Sequence, residues 1–135
     1  MEREFRMILP KFDNEGHRIS TDVIKRFAVA MANRFGGITV LPTTLGCYAI
    51  HRDGGLQCDE NAVLESVRTD ATQDQLQGDQ DFMVGLAGQA ARELGQESVF
   101  EQQETDTRTT FVPGQLRPAV PVGLREGDIF KRIIG

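Results

Sequence analysis

The sequence predicts a small α+β domain of β-α-β-β-α-β order: a ferredoxin-like sandwich with two helices on one face of a four-stranded antiparallel sheet, followed by an extended C-terminal arm. Three observations predict it. Two apolar stripes recur at helical spacing, short β-branched runs lie before, between and after them, and an Asp-Gly-Gly turn at 53–55 joins two of those runs. Beyond Pro113, proline and glycine interrupt every regular pattern. The 135 residues therefore divide into a domain over 1–112 and an arm over 113–135.

Phe5-Arg6-Met7-Ile8-Leu9 reads as the first strand, with Phe5, Met7 and Leu9 on one face and Pro10 as its stop. Lys11–Arg18 is polar and reads as a loop. Ser20 or Thr21 then caps a helix, Asp22 sits well in its first turn, and Ile24, Phe27, Ala28, Met31 and Phe35 form its apolar stripe. Gly36-Gly37 ends it, since glycine takes the left-handed conformation at little cost.

Ile38–Leu41 opens a second strand, which Pro42 interrupts or bends, and Leu45–His51 resumes it. A tight turn at Asp53-Gly54 returns the chain through Leu56–Val67. Glu60–Val67 also has the length of a short helix; Val63, Val67 and the hairpin's need for a partner favour strand. Thr69–Gln80 reads as a loop, with Asp79 or Asp81 capping a second helix that presents Phe82, Met83, Leu86, Ala87, Ala90, Ala91 and Leu94. Gly85 and Gly88 within it predict close packing on the sheet. Gly95 closes the helix, and Ser98–Glu101 opens a fourth strand running toward Phe111-Val112.

Charge narrows the function classes. The arm carries four basic and two acidic residues, +2, which leaves −7 on residues 1–112 of a net −5. An acidic body repels phosphate, so nucleic acid is not an expected partner. No stretch approaches the roughly 20 apolar residues of a membrane span, and the N-terminus lacks a signal-peptide core, so a cytoplasmic protein is expected.

Constellations with chemistry are sparse. Cys47, His51, Cys58 and Glu60 share one face if Asp53-Gly54 is a two-residue turn. Cys47 and His51 would then lie roughly 13 Å apart along one strand, too far to share a zinc ion. In the same register Cys47 and Cys58 are diagonal, which disfavours a disulfide, as does a cytoplasmic setting. Both cysteines read as small buried or half-buried residues. Asp13-Asn14-Glu15-Gly16 lacks the ligand spacing of a calcium loop. Asp59 and Glu60, adjacent on a strand, point to opposite faces. No cofactor motif is present, so no cofactor and no metal are expected. Gln96 and Glu97 follow a helix end, where polar side chains satisfy loose carbonyls; the functional alternative stands them at the mouth of a pocket beside the sheet.

Arg34–Leu41 and Leu94–Phe100, with their Phe-Gly-Gly and Gly-Gln-Glu-Ser-Val segments, carry a resemblance. The chain is similar over about residues 20–101 to an uncharacterised group of small bacterial proteins, and the resemblance implies the same α+β order and no known activity.

The expected function is therefore non-enzymatic assembly as a homo-oligomer. The arm's Leu116, Val120, Val122, Leu124, Ile129, Phe130, Ile133 and Ile134 would dock on a neighbouring subunit or another protein, as in a viral or mobile-element accessory or structural component. The alternative is a small-ligand-binding protein or enzyme of the dimeric α+β barrel kind, with Tyr48, His51, Cys58 and Glu60 as ligand contacts.

Overall fold

The computed structural model describes residues 2–50, 54–96 and 100–105. The order of elements is β1 (Arg3–Pro10), α1 (Thr21–Phe35), β2 (Thr39–Ala49), β3 (Leu56–Arg68), α2 (Gln73–Glu93) and β4 (Phe100–Thr105). The expected α+β architecture, with two helices and an antiparallel sheet, is present. The strands lie in the order β2-β3-β1-β4. The arm over 113–135 and its eight apolar contacts lie outside the described residues.

Strand alternation sets the two faces of the sheet. Phe5, Met7 and Leu9 of β1 face the same side as Ala62 and Leu64 of β3, and all five are fully buried. They share one core with Ile24, Phe27, Ala28 and Met31 of α1 and with Met83, Leu86, Ala87 and Ala90 of α2. Both helices therefore cover the same face. The other face, with Glu4, Arg6, Ile8, Glu65 and Val63, carries no helix among the described residues.

α1 begins where its sequence signals place it. The Ser20 hydroxyl accepts from the Asp22 backbone N–H at 3.2 Å, and Gly36 closes the helix at φ 87°. α2 begins earlier than expected. Thr72, not Asp79 or Asp81, is its cap: Thr72 Oγ1 accepts from Gln75 N at 3.2 Å, and Gln75 Oε1 accepts from Thr72 N at 2.9 Å. This reciprocal pair is a capping box. Asp79 instead occupies a core position on the stripe of Leu76, Met83, Leu86 and Ala90, with 0% of its surface exposed. A carboxylate at a helical core spacing masks the true start.

Its charge is met by two arginines. Arg68 Nε and Nη2 donate to Asp79 Oδ2 and Oδ1 at 2.8 and 2.9 Å, and Arg34 Nε donates to Oδ1 at 3.0 Å. Burial alone would raise the Asp79 pKa; the hydrogen bonds from Arg68 and then Arg34 outweigh it and hold the carboxyl below its ordinary value. The Arg68 guanidinium also lies 5.3 Å from the Phe35 ring centre, and that of Arg34 lies 5.4 Å from the Phe82 ring centre. One buried carboxylate thus joins β3, α1 and α2.

Gly85 and Gly88 do not pack on the sheet as expected. A Cβ on Gly85 would meet nothing within 4 Å, and one on Gly88 would meet only the Arg92 side chain at 3.4 Å. The tight glycine of α2 is Gly78, where an added Cβ would come within 3.0 Å of Arg34 Nη2.

Two irregularities shape the β2–β3 hairpin. The pairing register shifts between Leu41 and Thr44, at Pro42-Thr43, in keeping with the interruption expected at the proline. The buried Lys11 side chain reaches this bulge, and its Nζ donates to Thr43 Oγ1 at 2.8 Å. The turn also differs from the tight one expected. Ala49 pairs with Leu56, and Ile50 N donates to Gly55 O at 2.9 Å, so Gly55 lies opposite Ile50 and not Arg52. That two-residue change in register places Cys47 directly opposite Cys58, with Cα atoms 4.0 Å apart, and the two form a disulfide. The expectation of two buried or half-buried thiols is corrected accordingly: both residues are exposed and bonded to each other. The preference for strand over helix at 60–67 is met by β3.

Candidate functional site

β1 stops pairing with β3 at Pro10 and Asn61, whereas β2 and β3 continue past that point as a two-stranded ribbon. The ribbon is exposed throughout, and Leu45 and Leu56 each show 68% of their surface. Beside it, the chain leaving β1 folds back on itself. Phe12 bridges to Arg18, Asp13 N donates to His17 O at 2.8 Å, and Ile19 N donates to Lys11 O at 2.8 Å. The segment expected as a plain loop is thus a small built wall.

Between ribbon and wall lies a cleft of about 620 Å³ on the helix-free side of the sheet. Its floor and ribbon side come from Ile8, Pro10, Tyr48, Gln57, Asp59, Glu60 and Asn61. Phe12, Asp13 and Asn14 form the opposite wall, and Gln96 closes it from beyond α2. Asp13, Asp59 and Glu60 give the lining three carboxylates, and among the described residues no lysine, arginine or histidine lines it. The rings of Phe12 and Tyr48 supply flat apolar surface.

Local hydrogen bonds fix the walls. Asp13 Oδ1 accepts from Glu15 N at 2.9 Å and His17 N at 2.8 Å. The backbone N–H of His17 is the chief reason the Asp13 carboxyl sits below its ordinary pKa, so it stays charged. His17 Nδ1 lies 3.4 Å from Asp13 Oδ2 and 3.5 Å from Glu15 Oε2. Asn14 Nδ2 donates to Gly95 O at 3.0 Å, which ties the wall to the end of α2; Gln96 Nε2 lies 3.4 Å from Asn14 Oδ1 and 3.2 Å from Leu94 O. On the ribbon side, Asn61 Nδ2 donates to Asp59 O at 3.1 Å, and Thr44 Oγ1 donates to Asn61 O at 3.3 Å. A Cβ at Gly46 would stand 2.9 Å from Asn61 Nδ2, so only glycine leaves that amide its place.

The structure divides the four ligand candidates read from sequence. Tyr48 and Glu60 line the cleft. Cys58 sits on the ribbon in the disulfide and is not part of the lining. His51 lies outside the described residues, as does Glu97, whereas Gln96 does reach the cleft. Asp59 and Glu60, set apart by strand alternation, both contribute to the lining. Sequence reading did not propose Phe12, Asp13, Asn14, Gln57, Asp59 or Asn61 as contacts. The period-2 relation of Gln57, Asp59 and Asn61 is a usable signal, but only the correct hairpin register sets Tyr48 beside them. Among the described residues, no group of three His, Cys, Asp or Glu side chains is placed to hold a metal ion. No helix among them is long and apolar enough to cross a membrane.

No family model and no curated protein matches the chain. Among solved structures it is similar to a phage SAM lyase in complex with S-methyl-5′-thioadenosine, at 14% identity, over 76% of this chain and 80% of that one, with TM-score 0.54. It is also similar to a phage SAM lyase in the apo state, at 16% identity, over 76% and 78% of the two chains, with TM-score 0.52. A divalent cation tolerance protein, Cut A1, from Thermus thermophilus aligns at 12% identity, over 80% and 88% of the two chains, with TM-score 0.45. At such identities the likeness to the SAM lyases is one of fold.

Proposed function

We propose that the chain binds a small nucleoside sulfonium, of which SAM (S-adenosylmethionine) is the first to test, in the cleft between the β2–β3 ribbon and the β1–α1 wall. The observation that carries this reading is the lining itself: three carboxylates, no basic side chain among the described residues and two aromatic rings around about 620 Å³. That volume falls in the range of small-molecule sites. A sulfonium is a permanent cation, and carboxylates favour it over its neutral thioether product by charge alone. Tyr48 offers a face for a purine, Phe12 a second that it shares with the Arg18 guanidinium 5.8 Å from its ring centre, and Asn61 and Gln96 offer amide oxygens for its edge. The fold likeness to a SAM lyase with bound S-methyl-5′-thioadenosine supports the same ligand class. A ferredoxin-like description of the fold fits the strand order β2-β3-β1-β4 with both helices on one face. A cytoplasmic location belongs to this reading, and there, where thiols are kept reduced, the exposed Cys47–Cys58 disulfide would be the transient form.

Calorimetric titration tests the reading. SAM should bind more tightly than S-methyl-5′-thioadenosine, and D59N/E60Q should remove that preference while leaving the fold intact. Absence of heat and of any melting-temperature shift with either compound at millimolar concentration rejects it, since a true ligand stabilises by mass action.

A second reading, assembly as a homo-oligomer, is favoured by the bare ribbon, whose Leu45 and Leu56 stand out from the body. In it a neighbouring copy covers the ribbon, and the arm over 113–135 docks on that copy, as in a phage or mobile-element component. Light scattering of the full chain beside a chain ending at Val112 separates the possibilities. A defined oligomer that dissociates without the arm supports this reading, and a monomer in both rejects it.

A further inference from the structure

Four of the eleven residues that line the proposed cleft stand on a part of the sheet that, among the described residues, has no packed layer on it. Leu45–Ala49 and Leu56–Glu60 pair with each other beyond the end of β1, and every residue in both segments is exposed. A two-stranded ribbon with no layer beneath it is marginally stable in water. Yet this ribbon supplies Tyr48, Gln57, Asp59 and Glu60 to the lining. Its one covalent cross-link among the described residues is the Cys47–Cys58 disulfide, which joins directly opposed residues in the middle of the ribbon.

We propose that the Cys47–Cys58 disulfide is a redox latch on the cleft. Oxidised, it holds the two ribbon strands in the register that aligns Tyr48 with Gln57 and Gly46 with Asp59. The bond is exposed, so a dithiol can attack it: the dithiol gives up two electrons and two protons and closes to its own disulfide, and the bond opens to two thiols. The freed ribbon samples other pairings, and the cleft loses those four lining residues for part of the time. The core is untouched, because β1, the inner half of β3 and both helices are joined without the ribbon. If the reduced ribbon is ordered a tenth of the time, affinity falls about tenfold. The effect on affinity rests on the cleft reading; the effect on ribbon order does not.

Two measurements keep these apart. Amide hydrogen exchange, without ligand, is compared for oxidised protein, protein reduced with excess dithiothreitol, and C47S/C58S. Exchange over 45–60 should speed up at least tenfold in the last two, with exchange in β1 and α1 unchanged. Equal protection of the ribbon in all three overturns the latch. Titration with SAM then reads affinity: about tenfold weaker binding in the reduced and C47S/C58S proteins, recovered on reoxidation of the wild type only, is expected. Unchanged affinity in a protein that binds SAM overturns the regulatory claim. A loosened ribbon in a protein that binds no SAM rejects the cleft reading and the control of affinity, and leaves only the staple.

Discussion

Arg68 Nε donates to Asp79 Oδ2 at 2.8 Å, and through that bond the last residue of β3 meets a carboxylate of α2 that is fully buried. With Arg34 on the same carboxylate, strand β3 and both helices converge on a single charge. Removing the carboxylate takes away three charge-assisted hydrogen bonds and leaves two partly exposed guanidinium groups without it.

Asp79→Ala should therefore destabilise the domain by about 3 kcal/mol, measured by urea unfolding. The pH dependence has a defined sign. The Asp79 pKa is lower folded than unfolded, so its contribution is fully present above its unfolded value, near 4, and fades as pH falls through the folded value. Wild-type stability should drop in that acid window, and Asp79→Asn should lack this part of the drop. A variant curve parallel to wild type below about pH 4 would contradict the assignment.

Thr72→Ala should cost about 1 kcal/mol by opening the capping box, and Thr72→Ser should cost little. In a domain of this size about 1 kcal/mol lowers the melting temperature by roughly 4–8 °C, which calorimetry resolves. Helix α2 starting at Asp79 or Asp81 instead would make both variants silent.

Gly85→Ala should stabilise the domain by roughly 0.5–1 kcal/mol, because the site is exposed, helical and open to a Cβ. Had Gly85 packed on the sheet, the same change would destabilise. The direction of the melting-temperature shift decides.

Gly46→Ala separates the cleft from the fold. The added Cβ meets only the end of the Asn61 side chain, so thermal stability should fall by less than about 1 kcal/mol. Asn61 must turn from its bond to Asp59 O, and ligand binding should weaken several-fold by calorimetry. Unchanged binding would place Asn61 outside the site.

Much of the fold is legible in the sequence because its signals are local. The stripe from Ile24 to Met31, the Ser20 cap, Gly36 and the alternation of Phe5, Met7 and Leu9 each follow from neighbours a few residues apart. The start of α2 is hidden because Asp79 has the chemistry of a cap. The Thr72-Gln75 pair stands seven residues earlier, and only the arginines explain a carboxylate on the core stripe. The site is half legible. Tyr48, Glu60 and Gln96 stand out in the sequence, but their companions depend on a hairpin register two residues away from the one a tight turn implies.

The sequence by itself determined the order of helices and strands, the core faces of β1, α1 and α2, and the irregularity at Pro42, since these depend on side-chain period and on the backbone chemistry of proline and glycine. The tertiary structure alone decided that Cys47 meets Cys58, that Arg34 and Arg68 share Asp79, and that Phe12, Asn14 and Gln96 face the ribbon across one cleft. Those relations join residues far apart in the chain. They depend on register and helix docking, which the burial of the whole core selects and no local pattern encodes.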